Sequence, residues 1–160
     1  MTRRIKWHVI PPIGMVLVAT AMLTACSSSG TTPKTDGGVS ATPTAPHSTV
    51  TITLKDFGVA ASLASAPAGR VTFVVQNAGA IPHEFIVVKS DLAPDQLPQV
   101  NQKVVDVSKV QVVAETEPFD SGKKQELTAE LQPGRYVLLC NVESHYISGM
   151  HTAFTAVETR

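Results

Sequence analysis

The chain is short of sulfur and of any charge excess. Only two cysteines, Cys26 and Cys140, occur among 160 residues, which excludes a disulfide scaffold, a four-thiolate zinc site and an iron–sulfur cluster. Thirteen basic residues balance thirteen acidic ones. No run of Lys or Arg exceeds a pair, so the electrostatic footprint that phosphate-backbone binding depends on is missing and nucleic acid is excluded as a partner. There is no internal repeat and no amphipathic helical stretch, and the length suits a single compact domain.

What is present divides the chain into segments with different fates. Arg3, Arg4 and Lys6 precede an uncharged, apolar stretch from Trp7 to Ala25, the order of an export signal. Pro11-Pro12 would interrupt a membrane-spanning helix over the same residues. The stretch ends in Leu23-Thr24-Ala25-Cys26, which resembles a bacterial lipobox. That resemblance implies a signal peptide over 1–25 and a lipid on Cys26. Arg3-Arg4 leaves both general and twin-arginine export open. Seventeen of the 23 residues from 27 to 49 are Ser, Thr, Pro or Gly, so residues 26–49 are expected to form a lipidated cysteine and a flexible tether, with His47 a solvated part of it. Loss of Arg3, Arg4 and Lys6 with the leader turns the neutral total into an excess of three negative charges.

From residue 50 to 160 the pattern is all-β. Val50, Ile52 and Leu54 alternate with polar residues, as do Val71, Phe73 and Val75, and Tyr136, Leu138 and Cys140 share one face of a third segment. The alternation and the Gly/Pro turns predict strands near 50–55, 70–76, 85–88, 103–106, 109–115, 125–131, 135–141 and 152–157. About eight short strands with no helix make a β-sandwich. Leu131-x-Pro133-Gly134-x-Tyr136 places Tyr136 as a tyrosine corner, a structural role.

Cys140, His145 and Met150 fall within eleven residues, spaced C-x4-H-x4-M. His83 lies 57 residues before Cys140, at the end of a loop leading into a strand. Singly, each has an ordinary reading: Cys140 a small core hydrophobe, Met150 core filler, His145 a surface residue. Together, the only thiol and the only thioether beyond residue 26 flank a histidine in one loop. Two imidazoles, a thiolate and a weak thioether suit copper in an electron-transfer centre. Zinc gains little from methionine.

Asn77-x-Gly79-x-x-x-His83 and Leu131-x-Pro133-Gly134-x-Tyr136-x-Leu138-x-Cys140, followed by His145 and Gly149-Met150, resemble the two motifs of the cupredoxin family, the blue copper proteins. The C-x4-H-x4-M spacing is similar to that of the rusticyanins and sulfocyanins. The resemblance implies a Greek-key sandwich and a type 1 copper ion held by His83, Cys140 and His145, with Met150 axial. It also implies one-electron transfer through His145, with Ile81, Pro82, Tyr146 and Ile147 forming an apolar patch for a membrane-associated or soluble redox partner. His151, beside Met150, is expected to open the last strand. Two departures from the family pattern bear on the site: Glu84 after His83 is expected to alter the bonding to the Cys140 loop, and Glu143-Ser144 before His145 is expected to place a carboxylate near the copper and lower its potential.

The expected protein is therefore an exported, lipid-anchored monomer facing the periplasm or cell exterior. A copper carrier for delivery or tolerance is the rival use of the same residues. An enzyme is disfavoured. Cys140 points inward, nothing in the pattern orients His145 as its base, and the remaining histidines are too few for a multicopper oxidase.

Overall fold

The computed structural model describes residues 47–158. The expectations for the leader, for Cys26 and for the tether up to residue 46 lie outside the described residues. Among the described residues no helix is long and apolar enough to cross a membrane.

Eleven strands form the described part: β1 (His47–Lys55), β2 (Gly58–Ala61), β3 (Ser65–Pro67), β4 (Gly69–Asn77), β5 (Ile86–Lys89), β6 (Gln99–Val100), β7 (Val104–Val105), β8 (Gln111–Glu115), β9 (Lys124–Leu131), β10 (Gly134–Leu139) and β11 (His151–Val157). The eight segments expected from alternation are all strands. The additional ones, β2, β3 and β6, are too short to show a period of two. One boundary is corrected: β1 begins at His47, three residues inside the stretch assigned to the tether. His47 pairs in register with Arg70, and its Nε2 lies 3.1 Å from Thr72 Oγ1, so it belongs to the sheet.

The strands build two facing sheets, ordered β2-β1-β4-β9 and β3-β11-β10-β5-β8, with β6-β7 as a small ribbon. β1 and β4 run parallel in the first sheet, as β3 and β11 do in the second. Such pairs need crossovers between the layers, which gives the Greek-key sandwich expected of this pattern. The alternating residues Val50, Ile52, Leu54, Val71, Phe73 and Val75 face Val87, Tyr136, Leu138 and Phe154 across the interior. Phe73 packs on Phe85 and Phe154 with ring centroids 5.4 and 5.7 Å apart. The Tyr136 hydroxyl donates to Gln132 O at 2.7 Å, closing the tyrosine corner.

A second core lies on the outside of the second sheet. Ile86, Val88, Val137 and Leu139 point away from the first and are covered by Leu97, Val105 and Tyr146. The segment from 90 to 110, polar and proline-bearing in sequence, therefore roofs an apolar outer face that would otherwise meet water. Both faces of β10 are buried, so the strand that leads to Cys140 is clamped from two sides.

Candidate metal centre

Two arms converge at one pole of the sandwich. The first begins where β4 ends. Asn77 is buried and fully bonded: its Nδ2 donates to Ile81 O at 2.9 Å and to Phe119 O at 3.0 Å, while its Oδ1 accepts from Gly79 N at 3.0 Å. A buried amide side chain is tolerated only when satisfied in this way, and here it folds residues 78–82 into a tight loop. His83 then pairs with Phe119 in both directions, at 3.2 and 2.9 Å. Its imidazole is 0% exposed. At its outer nitrogen, Nε2 lies 3.2 Å from Asp56 Oδ1. The same carboxylate accepts from Ala80 N at 3.0 and 3.1 Å, and that amide is the main reason the Asp56 carboxyl is held below its ordinary value.

The second arm is the loop after β10. Cys140, one residue past the strand, donates its N–H to Met150 O at 3.0 Å, and Met150 N donates to His145 O at 3.1 Å, so the eleven-residue loop is closed on itself. A short 3-10 turn over Tyr146–Ser148 ends at Gly149, whose φ of 103° is the left-handed cap that glycine adopts at low cost. Burial pushes the Cys140 thiol up, the main-chain amides of Glu84 and Val142 pull it down, and the Glu84 charge pushes it up again. Glu84 thus acts on the site through both its main chain and its charge. Its own carboxyl is pushed up by burial, partly offset by the Asn141 amide.

The donor atoms meet. Cys140 Sγ is 3.5 Å from His145 Nδ1 and 3.9 Å from His83 Nδ1, and the two Nδ1 atoms are 3.1 Å apart. All three residues are buried, and they form a group able to hold a metal ion. A triangle with these edges has its centre about 2 Å from each corner, the length of a metal–nitrogen bond. The residues therefore fit a metal in both chemistry and size. Burial is also the largest influence on His145, pushing its imidazole below the ordinary value and so favouring the neutral, ligating form.

The remaining expected residues divide. Met150 is fully buried in the same core cluster as Cys140. Ile81 and Ile147 are 40% and 50% exposed, and Pro82 is exposed beside them. His151 does open β11. Tyr146 is a correction: it is 1% exposed and is not part of the surface. Its hydroxyl donates to Pro94 O at 2.6 Å and accepts from Leu97 N at 3.0 Å, so it pins the second arm to the 90–110 segment. Glu143 also differs from expectation. It is solvent-exposed, with its carboxylate 2.6 Å from Lys103 Nζ, and this pairing holds it at the surface. Two site residues escaped the sequence reading. Asp56 and Phe57 sit in the β1–β2 turn, and their only signal is the register that brings this turn beside the residue 78–82 loop. The Phe57 ring stands edge-on to His145 at 6.3 Å and is 56% exposed.

A family model described as the sulfocyanin (SoxE) domain matches residues 58–159. The chain belongs to the sulfocyanin family. No curated protein matches it. Among solved structures, this sulfocyanin domain is similar to the dithionite-reduced auracyanin of Roseiflexus castenholzii, at 22% identity and a TM-score of 0.51 over 71% of this chain and 99% of that one. It is also similar to auracyanin A, a "blue" copper protein of Chloroflexus aurantiacus, at 20% identity and a TM-score of 0.50 over 69% and 99%. Auracyanin B gives 20% and 0.50 over 71% and 89%. At these identities the likeness establishes a shared cupredoxin fold.

Proposed function

We propose that the protein is a one-electron carrier that would hold a single copper ion through His83, Cys140 and His145, with Met150 as a further, weaker ligand. The observation that carries this reading is the convergence of three buried soft and borderline donors on one point about 2 Å from each. Bound there, copper supplies a couple between Cu(I) and Cu(II). The protein's part is to keep the donors still. His83 is tied to Phe119 through its main chain, Cys140 follows a strand buried on both faces, and the loop between Cys140 and Met150 is closed by its own hydrogen bonds. A site that rearranges little between oxidation states exchanges electrons with little reorganisation.

Electrons enter and leave through His145, the less buried imidazole. The exposed apolar residues Ile81, Pro82 and Ile147, with Phe57 added, form the contact for a redox partner at or near the membrane. A lipid on Cys26 and the tether after it would keep a monomeric domain at the outward face of that membrane. The deep burial of the donors argues against the rival carrier, since delivery needs ligands an acceptor can reach.

The test is the visible spectrum of the protein loaded with Cu(II), beside Cys140→Ser. An intense blue band that is bleached reversibly by reductant, and absent from the serine variant, is expected. A colourless protein that binds only Cu(I) would favour the carrier.

A further inference from the structure

The copper reading accounts for one nitrogen of His83, and the other faces a carboxylate that the family match, beginning at residue 58, does not include. Asp56 Oδ1 lies 3.2 Å from His83 Nε2, at the edge of hydrogen-bond range for a nitrogen donor. The His83 side chain is fully buried and that of Asp56 is 38% exposed, so the carboxylate keeps access to water while its bonded edge faces inward. The group is fixed rather than incidental. Ala80 N donates to both carboxylate oxygens, and Ala80 belongs to the loop that Asn77 folds. Gly79 lies directly over the contact: a Cβ at that position would stand 2.6 Å from His83 Nε2 and closer still to Asp56 Oδ1. Residue 79 must be glycine for the carboxylate and the ring to meet.

We propose that Asp56 is the positioning residue of the centre. It holds His83 with its proton on Nε2, so that the Nδ1 lone pair faces Cys140 and His145, and places a negative charge one ring away from the metal. The inference rests on the copper reading for its second half only. A ligating imidazole whose distal N–H is bonded to a carboxylate has a fixed tautomer, a fixed ring plane and greater basicity. The charge favours the more positive oxidation state, so Asp56 would hold Cu(II) more firmly than Cu(I) and lower the potential.

Three variants separate these effects. Asp56→Asn keeps an acceptor oxygen and removes the charge. Asp56→Ala removes both. Gly79→Ala leaves the carboxylate in the chain but forces it from the ring. In metal-free protein, nitrogen-detected NMR of the His83 ring should show one tautomer, protonated on Nε2 with a slowly exchanging proton, in the parent and in Asp56→Asn. Mixed tautomers and fast exchange are expected in Asp56→Ala and Gly79→Ala. With copper, Asp56→Ala should lose about 10- to 100-fold in Cu(II) affinity and less in Cu(I) affinity. Asp56→Asn should keep the spectrum while its potential rises. The proposal is overturned if Asp56→Ala and Gly79→Ala both leave the tautomer unchanged, or if Asp56→Asn leaves the potential unchanged. A parent that gives the expected tautomer but no blue band would refute the copper reading and leave the positioning role standing.

Discussion

The two histidines are held in opposite ways. His83 is enclosed on every side: its main chain is bonded twice to Phe119, its ring edge to Asp56, and the preceding loop is folded around buried Asn77. His145 is 7% exposed, stands on a loop held mainly by its own main chain, and has the exposed Phe57 ring beside it. One arm is built as an anchor and the other as a doorway. A centre that had to release its metal would gain from two open arms. A centre that passes electrons needs one fixed donor side and one side close to the surface, which is the arrangement found.

If the first arm is an anchor, damage there should be felt throughout the domain. Asn77→Ala leaves Ile81 O and Gly79 N without their partner, and Phe119 O, at the His83 bridge, with only its bond from His83 N. Leaving buried polar groups unsatisfied costs about 1–3 kcal/mol each, with incomplete additivity, so a loss of about 3 kcal/mol is expected in denaturant titration of the metal-free protein. A loss below about 1 kcal/mol would mean that the loop does not depend on this residue. The doorway should respond in rate instead. Ile147→Glu adds a charge to a half-exposed position with no other role in the described structure. Electron self-exchange between two copies should then fall about tenfold at low salt and recover as salt screens the repulsion, with the visible spectrum unchanged. An unaltered rate would move the exchange surface away from Ile147.

Tyr146 joins the second arm to the 90–110 segment, and Tyr146→Phe sharpens the comparison. Removing the hydroxyl unpairs Leu97 N–H and Pro94 O, with an expected cost of about 1–2 kcal/mol, smaller than at Asn77 because two hydrogen bonds are lost instead of three. By contrast, separating Glu143 from Lys103 should leave stability unchanged, since both side chains are more than half exposed and surface pairs contribute little.

Much of this plan is legible in the residues. The alternation of Val50-Ile52-Leu54 and Val71-Phe73-Val75 marks the inner faces because a strand with one wet side must alternate, and the C-x4-H-x4-M spacing draws three potential donors into one loop. Other parts are hidden for physical reasons. The outer core escapes because Ile86 to Val88 and Val137 to Leu139 are continuous apolar runs, and a strand buried on both faces loses its period. Adjacency to His145 in sequence suggests a surface position for Tyr146, although a residue one step away can point to the opposite side of a turn. Asp56 and Phe57 lie 27 and 26 residues before His83 and carry no motif. Only the parallel pairing of β1 with β4, which sets Leu54 opposite Asn77, brings their turn to the metal pole.

The smallest change in stability expected to be measurable bears on how tightly the doorway loop is made. Ser144, one residue before His145, has φ of 70°, a left-handed conformation that costs an L-residue about 1–2 kcal/mol relative to its right-handed alternatives. The strain is held by two bonds, one from outside the loop and one within it: Ser144 N donates to Lys103 O at 3.0 Å, and Ser148 Oγ donates to Ser144 O at 2.7 Å. Both bonds use the main chain of residue 144, so Ser144→Gly keeps them. Glycine relieves the steric cost but raises the entropy of the unfolded chain by about 0.5–1 kcal/mol, leaving a net gain of about 0.5 kcal/mol and a Tm higher by about 2 °C. The electron self-exchange rate should not change, because the bonds that set the path of the chain before His145 are intact. A Tm gain accompanied by a slower rate would show that the strained serine, and not only the bonds around it, fixes the angle at which His145 meets the surface.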